Sequence, residues 1–349
     1  MRVIVASTTV PHIGGGGRLI VKWAADAIRQ AGHEVEEFYF PFPPGAGATA
    51  AALVGLRHMP LADECDRLIT IRWPAHVVQH ANKAAWFIHH YRQVFDLWDT
   101  PYRNVPDNAD GVAFREMLRS ADNLALRECA DIFSNSTVVR NRLRAYNNLE
   151  AEVLYPPLGG DTARFRTEGY GDFILYPSRV TTIKRQMLAI QALNFTRTPV
   201  RLIIAGKPES DAYLEELIAA RSALPYPERC ELRMGWMPED EKVQFLAECR
   251  AIAYLPADED SYGYPSLEAS HSRKAIVTLT DAGGALEFVR DGVEGLVSEP
   301  TPRALAAAFD RMYDDPSGAA AMGQRSSERR FELGIEWPRV VAKLLGQRP

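Results

Sequence analysis

Residues 2–40 read RVIVASTTVPHIGGGGRLIVKWAADAIRQAGHEVEEFYF, and the order of patterns within them decides the fold. Residues 2–7 form a short β-branched run, the signal of a buried strand. A loop follows, then residues 18–31, where Ile20, Trp23, Ala24, Ala27, Ile28 and Ala31 recur at helical spacing and give one apolar face. Gly32 stops that helix, and residues 35–40 return as a strand. Strand, helix and strand in this order predict a parallel sheet covered by helices.

Working outward, the same alternation continues. Residues 66–71 and 84–88 read as strands, 108–129 as a long helix, 130–135 as a strand and 138–146 as a helix. Residues 41–60, rich in Pro, Gly and Ala, read as a mobile connection with room for one short helix. Pro156-Pro157 set a stiff bend and Gly159-Gly160 permit a hinge, so a boundary is placed near residues 161–168. The α/β pattern then restarts, with strands near 172–176, 200–205, 230–234, 251–255, 275–279 and 295–297. A helix follows at 302–313, then a helical tail over 326–345, interrupted by Gly334 and Pro338 and anchored by Trp337. The expectation is an α/β chain of two facing Rossmann-like domains, 1–160 and 161–325. A tail, 326–349, packs back on the first, and the cleft between the two is the default ligand site.

Composition narrows the class. Lys and Arg total 40 against 45 Asp and Glu, a formal net charge of −5, so no global basic field points to nucleic acid. A hydrophobic share of 46% and a charged share of 24% suit a soluble globular protein. Cys65, Cys129, Cys230 and Cys249 are scattered with no C-x-x-C pair, which argues against a zinc site or a disulfide framework and for a reducing compartment. The N-terminus reads as a first strand, not a signal peptide. No stretch approaches the ~20 apolar residues that span a bilayer, so a membrane role would be peripheral.

Several stretches carry chemistry. Residues 257–269, ADEDSYGYPSLEA, set Asp260 and Glu268 around the turn Tyr262-Gly263-Tyr264-Pro265. Pro265 fits a first helical turn, and Gly263 lets the backbone approach a ligand. A helix N-terminus favours phosphate or sugar oxygens, and carboxylates accept strongly from sugar hydroxyls. The plainer alternative is an exposed acidic loop before a capped helix. In residues 176–186, YPSRVTTIKRQ, Arg179 and Lys184 follow a strand, as suits a diphosphate: Arg chelates two oxygens and Lys adds a point charge. Two ordinary surface cations are the alternative. The four-glycine run containing Gly15 and Gly16 permits close approach of amides to phosphate. It lacks the third glycine of G-x-G-x-x-G and the G-K-[ST] ending of a P-loop, and a flexible turn is the other reading. Gly206 in IIAGK ends one later strand, and Met237 in MGWMP lies in the turn after the next. Gly283-Gly284 in TDAGGALEF offer amides at a helix start.

His89 and His90 follow a strand, where neighbouring side chains diverge; His89 directly follows the apolar run. The aromatic and Arg-rich residues 91–106 suit either a sugar-stacking platform or a packed loop. Arg140, Arg142 and Arg144 on one helix suit phosphates, a membrane surface or a solvated face.

Residues 257–269 resemble the E-x7-E motif of retaining glycosyltransferases of family 4, which have the GT-B fold. Asp260 stands where that motif has its first Glu, and Glu259 lies beside it. Residues 176–186 are similar to the family's R-x4-K signature, although Arg185 follows Lys184 where the family usually has Gly. Residues 153–165, VLYPPLGGDTARF, resemble its linker, and TDAGGALEFVRDGVEGLV its stretch after the acidic motif. The resemblance implies a metal-independent, retaining transfer of a sugar from a UDP- or GDP-sugar, with no further cofactor. By analogy with that family it also implies a glycan or lipid-linked acceptor, as in bacterial surface-polysaccharide assembly, and a place in the cytoplasm or at the inner face of the membrane. It assigns Arg179 and Lys184 to the leaving diphosphate and Asp260 to the donor sugar, with His89 near the reacting sugar. It assigns the ribose to Glu268. Gly15, Gly16, Gly206, Met237, Tyr262, Gly263, Tyr264 and Pro265 become donor contacts. A non-catalytic nucleotide-sugar-binding subunit and a phosphorylase of similar fold are the alternatives. A nicotinamide enzyme is disfavoured by the absent dinucleotide fingerprint.

Overall fold

The structure is a computed structural model that describes residues 1–9, 16–42, 46–61, 63–100 and 103–347. It divides into two units, Met1–Gly160 with Ile335–Pro349, and Asp161–Gly334.

In the first unit the elements run β1 (Arg2–Thr9), α1 (Gly16–Gln30), β2 (Glu34–Pro41), α2 (Ala46–Arg57), β3 (Arg67–Ile71) and β4 (Lys83–Phe87). They continue with α3 (Ala109–Arg127), β5 (Asp131–Ser134), α4 (Thr137–Asn147) and β6 (Glu152–Val153). The strands pair in parallel in the order β2-β1-β3-β4-β5-β6. Every residue of β3 and β4 is buried, as expected of parallel strands covered on both faces. Ile20, Val21, Ala24 and Ile28 of α1 pack on one face of the sheet, and Leu53, Leu118, Leu126 and Leu143 of α2, α3 and α4 on the other.

The second unit holds β7 (Phe173–Pro177), α5 (Gln186–Ala192), β8 (Arg201–Gly206), α6 (Asp211–Ser222), β9 (Cys230–Met234) and α7 (Glu239–Glu248). Then come β10 (Ala251–Ala253), α8 (Tyr264–His271), β11 (Ala275–Leu279), α9 (Ala285–Phe288), β12 (Gly295–Ser298), α10 (Pro302–Asp314) and α11 (Pro316–Glu332). Its parallel strands are ordered β12-β11-β10-β7-β8-β9. The chain therefore winds outward from β7 in one direction and from β10 in the other. The point between those two strands is where a doubly wound sheet opens a crevice at its carboxyl edge.

The helical tail departs from the sequence expectation. Residues 326–332 are not a separate tail but the end of α11, inside the second unit. Gly334 breaks the chain with a positive φ of 63°, a conformation that suits a residue without Cβ. Pro338 does not interrupt a helix; it sits in the first turn of α12 (Trp337–Leu344), where its missing N–H costs nothing. α12 belongs to the first unit. Val340, Val341 and Leu344 join the α1 face of its core, and Trp337 donates from Nε1 to the Leu158 carbonyl at 2.8 Å. Residues 41–60, expected as a mobile connection with room for one short helix, hold the 12-residue helix α2.

Candidate functional site

The loops that leave β7 and β10 meet because those strands are neighbours in the sheet. After β7 the chain turns through Ser178–Lys184. Gln186 braces this turn, donating from Nε2 to Ser178 Oγ (3.0 Å) and to the Arg179 carbonyl (2.8 Å) and accepting from the Thr181 N–H (3.3 Å). The β8 end lies against it: a Cβ on Gly206 would stand 1.8 Å from the Ser178 carbonyl oxygen, so only glycine fits. Gly206 in turn accepts from the Gly235 N–H at 3.0 Å, which brings the turn carrying Met237 alongside. Arg179 is exposed, and no carboxylate pairs with its guanidinium among the described residues.

Lys184 is 7% exposed. Its ammonium pairs with Glu259 and donates to the Tyr254 hydroxyl at 3.1 Å, with the Tyr254 ring centroid 5.1 Å away. Tyr176, buried in β7, stitches the two loops: its hydroxyl donates to the Lys184 carbonyl and accepts from the Leu255 N–H (3.2 Å). Arg185 has a left-handed φ of 57°, the conformation that explains a preference for glycine there. The side chain that replaces glycine is a strut. It chelates both Asp281 oxygens at 2.8 Å and donates to the carbonyls of Leu255 and Pro256.

The acidic loop is pinned along its length. Ala257 N–H donates to Ile183 O and Asp258 N–H to Asp281 O, both at 2.9 Å. Glu259 N–H donates to Ala282 O (3.3 Å), and its carbonyl accepts from Gly284 N–H (2.8 Å). Gly283 and Gly284 are thus required by backbone packing: Cβ atoms there would lie 2.6 Å and 2.5 Å from residues 259 and 261. The Gly284 amide, expected to face phosphate, is already used, and the helix it precedes spans only four residues.

Beyond the loop, Gly263 has φ 74°, and a Cβ on it would stand 2.3 Å from the Tyr254 ring. Tyr262 is 1% exposed with its ring 5.7 Å from that of Phe288. Its side chain is packed in the core. Tyr264 and Pro265 open α8, and burial pushes the Tyr264 hydroxyl well up, with Glu268 adding to the effect. Glu268 receives a 2.6 Å bond from Lys242, which also reaches Glu239 at 2.9 Å. Burial raises the Glu268 pKa against the pull of Lys242. Burial also opposes the Lys242 charge, but Glu268 and Glu239 outweigh it and hold the ammonium above its usual range. The site thus keeps Lys242 charged beside a carboxylate that is costly to bury alone. Asp260, half-buried, lies in the same loop.

The other sequence-derived residues lie in the first unit. His89 is half-buried after β4, and its Nδ1 contacts the His90 carbonyl at 2.8 Å. A carbonyl only accepts, so Nδ1 carries a proton. His90 is buried, with Nε2 bonded to Asn147 Oδ1 at 2.8 Å and its ring among those of Phe87, Phe95 and Tyr146. Gly16 opens α1; Gly15 lies outside the described residues. Among the described aromatics after β4, Phe95 and Trp98 are buried and Tyr91 is half-buried, with Trp98 beneath Arg103 and Arg115. Arg142 and Arg144 pair with Asp96 and Glu150, so the basic stretch of α4 is largely neutralised. Among the described residues no three His, Cys, Asp or Glu side chains cluster as metal ligands, and no helix is long and apolar enough to cross a membrane.

Sequence reading singled out Lys184 but not its partners Glu259 and Tyr254, nor the bracing Gln186 and Lys242. The only signals were a second acid beside Asp260 and a tyrosine closing an otherwise aliphatic strand.

Residues 163–329 match the family model described as Glycosyl transferases group 1. The alpha-1,3/1,6-mannosyltransferase ALG2 of Dictyostelium discoideum is 32% identical over 91 residues, 26% of this chain and 21% of that protein. The Homo sapiens protein of the same name is 23% identical over 224 residues, 57% of this chain and 53% of its own length. The chain therefore spans about a fifth to about half the length of these curated relatives. Among solved structures, HepE of Anabaena in complex with UDP superposes with a TM-score of 0.75 over 99% of both chains at 16% identity. That likeness shows the fold: two Rossmann-like domains of the GT-B class.

Proposed function

We propose that this chain is a glycosyltransferase that moves a sugar from a UDP- or GDP-sugar to an acceptor hydroxyl, with retention at the anomeric carbon and no metal or further cofactor. The observation that carries the reading is the pairing of the Arg179–Lys184 turn with the acidic loop at the crevice of the second sheet, inside the segment that matches the glycosyl transferase model. The names of the ALG2 relatives and the UDP and UDP-glucose complexes of HepE support it. An acceptor in glycan or glycolipid assembly, with the protein in the cytoplasm or at the inner face of a membrane, completes the proposal.

Each residue has a task on this reading. Glycosyl transfer develops negative charge on the departing diphosphate, and fixed cations aimed at it lower the barrier. Arg179 is exposed and has no carboxylate partner among the described residues, ready to chelate two phosphate oxygens, while Lys184 adds a buried charge. Glu268, held by Lys242, accepts from the ribose hydroxyls. Backbone groups at Gly206, Met237 and Gly263–Pro265 border the nucleotide, and Asp260 meets the sugar. The departing phosphate takes the acceptor proton on the same face, so no carboxylate need form a covalent intermediate. His89, after β4, lies near the reacting sugar on this reading.

Calorimetry with UDP and GDP, followed by turnover of their sugars, tests the reading. Arg179→Ala and Lys184→Ala are expected to lower turnover by about 100-fold or more with the thermal transition retained. Near-normal turnover in both variants would overturn the assignment.

A further inference from the structure

We propose that Glu259 is a resident occupant of the phosphate position: it holds Lys184 in the ligand-free chain, and a nucleoside diphosphate binds by displacing its carboxylate while Tyr254 keeps the ammonium in place. This rests on the reading above, in which Lys184 neutralises the donor diphosphate.

Lys184 is almost fully buried, and a buried ammonium needs an opposite charge. Among the described residues its Nζ has two partners, Glu259 and Tyr254. The tyrosine supplies a hydroxyl oxygen and a ring face but no formal charge, so among the described residues Glu259 is the carboxylate that pairs with the lysine. A phosphate reaching Lys184 brings a second anion to the same ammonium. Two anions within a few ångströms repel in a partly desolvated site, and one must leave.

The geometry says which part moves. The Glu259 backbone is fixed on both sides by Ala282 O and Gly284 N–H. Its side chain, in contrast, keeps 22% of its surface in water. The carboxylate can therefore swing out by rotation of its own bonds with the loop in place. Tyr254 has no such freedom. It is 3% exposed, and its ring lies against Gly263, where even a methyl group would not fit. Tyr254 is thus a positioning residue that keeps Lys184 aimed at the vacated place, and Glu259 sets the threshold an anion must exceed.

The test is calorimetry of UDP and uridine, or GDP and guanosine, whichever base the protein takes, on the wild type, Glu259→Gln and Tyr254→Phe. Glu259→Gln removes the competing charge and keeps the size, and is expected to tighten the diphosphate by about tenfold with nucleoside affinity unchanged. Tyr254→Phe is expected to weaken the diphosphate by about fivefold, again with nucleoside affinity unchanged. Should Glu259→Gln fail to fold, Glu259→Asp decides: the charge stays but reaches less far, and a tightening of about twofold or more is expected. Diphosphate affinity that is unchanged or weaker in the folded glutamate variant overturns the inference and leaves the parent reading intact. A wild type that binds neither UDP nor GDP overturns both.

Discussion

His90 is a buried imidazole with one proton placed on Nε2. Its Nε2 donates to Asn147 Oδ1, and its Nδ1 has no partner among the described residues. Burial drives its pKa down to about 4, against the opposing pull of Asp122 and Asp96. In the unfolded chain an ordinary imidazole takes up its proton near ~6.5. Between that value and about 4 the unfolded state binds a proton that the native state refuses, so stability falls as pH falls and is flat above the window. The loss amounts to about 3 kcal/mol. Unfolding of the wild type and of His90→Gln at pH 7 and pH 4.5 measures it: the variant is expected to lose less. An equal loss in both would assign the effect to another group, His271 in the second unit being the first to test, since burial and Arg330 lower its pKa also to about 4. The same scale shows what the sequence hid. Alternation along a strand end separates His89 from His90, because it is a local rule. The choice between Glu259 and Asp260 as the partner of Lys184 is not local. It follows from the Glu259–Gly283 bridge and from the neighbourhood of β7 and β10, and neither leaves a trace in the adjacent residues.

At the scale of elements, parallel strands buried on both faces announce themselves as unbroken apolar runs. β3, β7 and β11 were legible for that reason. β4 was legible only from its second residue, because Lys83 opens it. That lysine is fully buried, its Nζ donating to the carbonyls of His76 (2.7 Å) and Val78 (2.9 Å), and a charge in that position reads as the end of a strand. α2 was obscured by its Ala and Gly content. α12 was half-seen: Trp337 was the right anchor, but Pro338 reads as a breaker until its place in the first turn is known. The energetic weight of this helix is testable. Trp337 meets Trp86 edge to face with centroids 6.3 Å apart, Arg67 Nε donates to the Leu344 carbonyl at 2.9 Å, and Val340 and Leu344 are fully buried. Burial of those side chains is worth on the order of 5 kcal/mol. A chain ending at Gly334 is therefore expected to lose thermal stability in the first unit by roughly 10 °C or more and to lose hydrogen-exchange protection in α1. Unchanged protection there would show that α1 does not depend on the helix.

On the scale of the whole molecule, two α/β halves were readable because the strand–helix alternation restarts after Gly160. Their sheet orders were not, since order depends on which strands pair across the sequence. The second unit is one continuous stretch, whereas the first is assembled from both ends of the chain. A fragment of residues 161–334 is accordingly expected to unfold in a single cooperative thermal transition, as followed by circular dichroism. A fragment of residues 1–160 lacks α12 and is expected to melt broadly. A broad transition in the former would show that the second unit needs the first.

The docking of α12 also sets a schedule for synthesis. Growing chains fold from the N-terminus as they leave the ribosome, and here the first six strands emerge early. The apolar patch that Val340, Val341 and Leu344 cover nevertheless stays wet until the last helix arrives. By then every residue of the later unit has already been made. The half of the protein that is translated first is therefore the half that is finished last, and during that interval its unfinished face is open to chaperones.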